Sequence, residues 1–388
     1  MCSEGPTLDE LDEDPYPIYA RLRAEAPVSW VPSLNAWLVT RWHDVRQVAN
    51  LPESFTTANS KAPLADYCGP QNILTLEGDR HAAVRESVDD CFSWTRASAA
   101  VAHTRAIAAD QLRTLAGRDE ADLMGEYFEP VTVAALGRFM GLEGIAPTTL
   151  AHWSKALTDA LHNPEQDSGR AQAGRAAVAD IDQVVGARLK ELAARPDDSV
   201  LSRLLRSGCP QGTSREPEAV LSTLKMMLSA FREPSWLAGN TLYALMSRAD
   251  QLAALRQDPQ VLGAAVHEGV RWGAPVGVIG RLAVKDVALN GVEIPAGATV
   301  LSAIASANRD ETVFPAGEEF DLRRPPAPCL TLGYGRHACL AADLVPKIVE
   351  AALATLLHDG PAELRMTDDV RPRGWKFRKL ESLRVGWH

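Results

Sequence analysis

The chain has 388 residues, 46% hydrophobic and 23% charged, enough to bury a large core without a disulfide or metal staple. A formal net charge of -10 argues against a nucleic-acid partner, and the six cysteines (Cys2, Cys68, Cys91, Cys209, Cys329, Cys339) follow no CxxC or zinc spacing, so they read as reduced thiols. An acidic start without a basic-then-apolar leader, and the lack of any run of about 18 apolar residues, point to a cytoplasmic protein with no membrane span.

No composition shift and no repeat of about 20–50 residues divides the sequence, so residues 1–388 read as one domain. In chain order, Asp14-Pro15-Tyr16-Pro17 opens a helix through Ala20 and Leu22, and Ser29 to Trp42 alternates like paired strands. From Asp79 to Met246 the periodicity is almost wholly helical, with connections at Asn163 to Gly169 and Gly208 to Arg215. Strand patterns return at Arg281 to Val287, Val292 to Ile294 and Thr299 to Ile304, and a final hairpin is predicted within Gly374 to Trp387. The fold class is therefore mainly α with small β-sheets. Pro217 to Arg248 holds helical periodicity for about 30 residues, about 45 Å, and Pro234 interrupts it by removing a backbone donor.

Three clusters carry candidate chemistry. The first is Leu332-Gly333-Tyr334-Gly335-Arg336-His337-Ala338-Cys339, followed by an apolar-periodic helix through Leu344, Ile348, Ala352 and Leu356. Two glycines permit a tight loop, and a helix start at Cys339 would favour its thiolate. In the second, Glu268 and Arg271 sit three apart on one face of an otherwise apolar helix and suggest a partly buried pair. The third holds His81 and Arg85, four apart on another helix, with Arg281 opening a later strand.

The cysteine loop resembles the haem-binding signature of the cytochrome P-450 family, an aromatic residue then Gly-x-Gly-x-His-x-Cys-x-Gly, with Leu332 in place of the usual Phe and Ala341 in place of the last Gly. Pro346 early in the next helix is a third departure. The resemblance runs from Asp14 to the C-terminus, and it implies the family's triangular-prism fold and haem b on Cys339. It also implies a propionate-binding set of His81, Arg85, Arg281 and His337, and a structural triad of Glu268, Arg271 and Arg324. A thiolate on haem iron favours O–O cleavage, so the implied activity is insertion of one atom of O2 into a C–H bond. No flavin, nicotinamide or iron–sulfur motif is present, so electrons would come from an external ferredoxin or ferredoxin-reductase docking near Arg336 and Lys347.

Where the family carries an acid and then threonine, this chain has Arg232 and Glu233, which become the candidate catalytic residues. Glu233-Pro234 and Gly374-Trp375-Lys376-Phe377-Arg378 resemble bacterial aryl-ether O-demethylases acting on guaiacol-like compounds. By that analogy Leu161, Phe231, Val278, Ile279 and Phe377 wall the pocket of a small apolar or aromatic substrate. The alternatives are a peroxide-driven hydroxylase, a tailoring oxidase of secondary metabolism, and a non-catalytic haem sensor.

Overall fold

Helices dominate the structure, as the sequence periodicity predicts, and the strands gather into small sheets. The computed structural model describes residues 5–59, 63–210, 213–361 and 363–387, so Cys2 lies outside the described residues. Among them, one sheet has five strands in the order Val28–Val31, Ala36–Val39, Thr299–Ala303, Val278–Ala283 and Phe55–Thr56, parallel only between the second and third. A separate hairpin joins Val287–Leu289 to Val292–Ile294. Its turn residues Asn290 and Gly291 both take positive φ, 49° and 76°, as a two-residue turn matched to strand twist requires.

The predicted C-terminal hairpin forms differently. Arg373 and Lys379 exchange backbone hydrogen bonds of 2.9 and 3.0 Å and close a small loop, but Arg384–Gly386 pairs with Glu120–Asp122 and Arg365–Met366. Short alternating segments do not encode their partners, because the register is set by the face that each must bury.

The long helical stretch is two helices, Pro217–Ser229 and Glu233–Met246. Pro234 sits in the first turn of the second, where its missing N–H costs nothing. The break frees the Ser229 carbonyl, which accepts from the Thr158 hydroxyl at 2.7 Å and the Ser154 hydroxyl at 3.4 Å. Helix Pro147–Leu161 thus supplies donors to a carbonyl that the break leaves without a helical partner, while the Ala230 carbonyl that Pro234 cannot serve accepts from the Glu233 N–H at 3.1 Å.

Below this helix pair, Glu268 and Arg271 in helix Leu262–Gly273 form a fork of 2.6 and 2.8 Å. Arg324 adds a third contact at 3.1 Å to Glu268, and Arg271 also donates to the carbonyls of Asn308, Gly317 and Glu319. The pair is buried, with every strong donor matched. Nearby, Asn308 accepts the Leu330 N–H at 2.7 Å while the Thr331 hydroxyl donates to the Val270 carbonyl at 2.6 Å, so the approach to the cysteine loop is tied to this scaffold. We expect Glu268→Ala to cost about 3–5 kcal/mol in urea unfolding, because two guanidinium groups are left without their anion. A loss below about 1 kcal/mol would show that the cluster is not a keystone.

Candidate active site

The cysteine loop folds as its glycines dictate. Gly333 and Gly335 have φ of 75° and 72°, and a Cβ on Gly335 would stand 2.7 Å from Asn50 Oδ1. The chain doubles back through Gly333 N–H to the Leu330 carbonyl at 2.9 Å and Cys339 N–H to the Leu332 carbonyl at 2.6 Å. Arg46 pins the loop from outside, donating to the Tyr334 hydroxyl at 2.5 Å and lying over its ring.

The helix begins at Leu344, not at Cys339. A turn closed by Ala342 N–H to the Cys339 carbonyl at 3.3 Å lies between. Starting at Leu344 also puts Pro346 in the first turn, where proline is tolerated. The local donor at the sulfur is therefore the Ala341 N–H rather than a helix dipole; burial pushes the Cys339 thiol up to about 11, with that N–H opposing and the Glu233 carboxylate adding to the rise.

A cluster of cations gathers at one edge of the loop. His81, in helix Gly78–Val88, places its ring 4.3 Å from that of His337. Arg85 donates to the Ala338 carbonyl at 2.9 Å and pairs with Asp89 at 3.0 Å. Among the described residues Arg281 donates only to the adjacent Gly280 carbonyl, at 2.8 Å, and burial lowers its pKa. The hub is Glu77, which accepts from Thr56 and Thr57 and contacts Arg336 at 3.0 Å and His337 Nε2 at 3.4 Å. Burial alone would raise the Glu77 carboxyl, but the Thr57 N–H, the Thr56 hydroxyl and His337 outweigh it and hold it at about 2. Burial and the neighbouring His81 push His337 down to about 4, and its Nδ1 is buried without a partner among the described residues.

Across from the sulfur stands Glu233, first residue of helix Glu233–Met246. Burial alone pushes its carboxyl up to about 8, and among the described residues no side chain hydrogen-bonds or pairs with it. Arg232, read from sequence as its catalytic companion, turns away instead. It pairs with Glu129 at 2.5 Å and lies over the Trp236 ring. Consecutive helical positions point about 100° apart, so the two side chains do not share a face.

Residues 248–364 match the family model for cytochrome P-450. Over 96% of this chain and 91% of the relative, the sequence is 32% identical to cytochrome P-450 monooxygenase PikC of Streptomyces venezuelae. The chain belongs to the cytochrome P-450 family. It is also 30% identical to 6-deoxyerythronolide B hydroxylase of Saccharopolyspora erythraea, over 91% of this chain and 90% of that one. The structure of CYP109E1 from Bacillus megaterium in complex with testosterone superposes with a TM-score of 0.88 at 22% identity, covering 99% of this chain and 100% of that one. The fold is thus the cytochrome P-450 fold, the enzyme class is monooxygenase, and the family's cofactor is haem b. No helix among the described residues is long and apolar enough to cross a membrane.

These residues fit haem b. The half-buried Cys339 thiol lies near enough to feel the Glu233 carboxyl, and, among the described residues, the buried His337 Nδ1 has no partner and Arg281 donates only to its neighbour's carbonyl, leaving donors that two propionates would need.

The proposed pocket walls separate into two groups. Phe231 and Val278 are each 3% exposed and belong to packed cores, Phe231 with Leu157 and Leu228, Val278 with Leu38 and Trp375. Val278 and Ile279 project from opposite faces of their strand, so they cannot line one cavity together; Ile279 shares its face with Arg281. Leu161 ends helix Pro147–Leu161 next to His162, whose ring meets Phe377 edge-on at 5.7 Å, and Phe377 also packs at 5.7 Å on Trp236. Ile279, Leu161 and Phe377 are half-buried and remain candidates to meet a substrate. Sequence reasoning missed Glu77, although a carboxylate at the cap of the helix bearing His81 and Arg85 was a readable signal.

Proposed function

We propose that Cys339 would be the thiolate ligand of haem b, that His81, Arg85, Arg281 and His337 would hold its propionates, and that Glu233 manages the proton on the substrate side. When bound, haem b supplies O2 activation at the iron. Glu233 carries the proposal, since a carboxyl pushed up to about 8 by burial retains a proton at neutral pH and can donate it within the site. Arg232 serves as a positioning residue, whose pair with Glu129 fixes the start of the helix that bears Glu233. Electrons arrive from an external ferredoxin or ferredoxin-reductase. Its docking face includes Arg336 and Lys347, whose ammonium lies 3.3 Å above the exposed ring of Trp94.

The substrate reading favoured by the relatives is C–H hydroxylation of a secondary-metabolite scaffold, since a 30% identical protein is itself named a hydroxylase. A second reading, O-demethylation of a guaiacol-like methoxyphenol, rests on Glu233-Pro234 and on the Gly374 to Arg378 segment. Both involve attack on a C–H bond, but only the second releases formaldehyde. Turnover with methoxyphenols and a reductase system separates them. Formaldehyde in step with reductant consumption would establish demethylation, whereas no spin-state change and no formaldehyde with any methoxyphenol would leave hydroxylation.

A further inference from the structure

A loop on the C-terminal side of the chain holds a cation, Lys376, that no acid answers among the described residues. Lys376 lies between Trp375, in the core beside Leu38, and Phe377, against Trp236. The loop is built to be rigid. Arg373 and Lys379 close it, Gly374 takes a φ of 94° where a Cβ would stand 2.2 Å from the Phe377 carbonyl, and Gly277 N–H binds the Lys376 carbonyl at 2.8 Å. Gly277 is itself required, because a Cβ there would meet the Trp375 carbonyl at 2.3 Å.

The Lys376 ammonium stands 5.7 Å from the Phe377 ring, and the His162 imidazole meets the same ring. Among the described residues no acid pairs with Lys376, and burial lowers its pKa. His162 is pushed down to about 4 by burial, with Lys376 and then Arg170 adding to the fall. The one nearby acid acting on His162, Asp159, is paired with Lys155. Of the other cations of this loop, Arg373 pairs with Glu13 at 2.8 Å, Lys379 pairs with Glu381 at 2.8 Å, and Arg378 lies 4.9 Å from the centre of the Tyr16 ring and donates to the Gly374 carbonyl. Lys376 is half-buried, so its ammonium keeps only part of its hydration, and a ligand that brings an anion offsets that loss. Arg232, the arginine beside Glu233, is occupied by Glu129.

We propose that Lys376, with His162 beside it, binds a carboxylate of the substrate, so that the enzyme acts on an apolar molecule carrying one acid group. Phe377 packs on Trp236, one turn along the helix from Glu233, so the acid would be anchored at the rim while the apolar body reaches toward the cysteine. This deepens the monooxygenase reading and rests on its placement of the substrate over Glu233.

The test uses the ferric holoenzyme with dodecanoate and methyl dodecanoate as probes, reading dissociation constants by calorimetry and by the spin-state change. Dodecanoate should bind about 10- to 100-fold tighter than its ester, the range of one hydrogen bond to a charged group. Lys376→Met should abolish that preference while leaving ester binding unchanged, and Lys376→Arg should retain it. Removal of a half-buried charge that has no acidic partner among the described residues does not threaten folding, and Lys376→Gln gives a second neutral variant. Equal binding of acid and ester, no binding of dodecanoate, or a preference that survives in both neutral variants overturns the proposal. The carbon monoxide spectrum of the same samples reports the cysteine-ligand reading separately, so a normal spectrum without acid preference sinks only the carboxylate site.

Discussion

Glu233→Gln is expected to slow turnover by about 10²–10⁴-fold, the usual cost of losing a general acid, with a far smaller change in substrate affinity. The amide keeps the size and one hydrogen-bonding oxygen but cannot release a proton. Oxygen-driven and peroxide-driven reactions should both slow, because each needs a proton delivered at the same place. The pH dependence gives a second reading. With its carboxyl pushed up to about 8, Glu233 is protonated below that pH and ionises above it, so the wild-type rate should fall as pH rises through about 8. The glutamine variant should lack that limb. The hydroxyl of Ser229, four residues before Glu233, donates to the Met226 carbonyl at 2.7 Å and is therefore committed elsewhere. Wild-type rates in both assays with Glu233→Gln would make Glu233 a structural substitute and route the proton through water.

The parts legible in the sequence are those where local chemistry leaves little choice. Gly333 and Gly335 need positive φ, and that need places Cys339. Glu268 and Arg271 share a buried helix face, so their pairing follows from spacing of three. The Pro234 break was legible too, since a proline in a helix interior has no donor to offer.

What the sequence hid depends on distant partners. Arg232 reads as a companion to Glu233 until Glu129, 103 positions away, claims it. Val278 and Ile279 look interchangeable as apolar walls, yet the sheet register sends them to opposite sides. The helix after Cys339 starts later than expected because Pro346 must sit in a first turn, a constraint visible in the sequence but outweighed there by the apolar periodicity. Lys376 and His162 are brought together only by the closed loop at Arg373 to Lys379.

Replacement of Cys339 by alanine should abolish monooxygenase activity outright, since the variant has no thiolate to place on the iron. The loop itself should persist, because its backbone bonds at Leu332, Gly333 and Gly335 and the Arg46 to Tyr334 contact do not involve the sulfur. Without iron, burial holds Cys339 as a thiol, and coordination to a metal deprotonates it. Cys329, the nearest other cysteine in sequence, is likewise a half-buried thiol whose pKa burial raises, so it serves as the control substitution. The decisive measurement is the absorption spectrum of the dithionite-reduced holoprotein under carbon monoxide. The strongly red-shifted Soret band of thiolate ligation should be present in wild type and in Cys329→Ala and lost in Cys339→Ala. An unchanged band in Cys339→Ala, or its absence from the wild-type holoprotein, would contradict the assignment of Cys339 as the ligand.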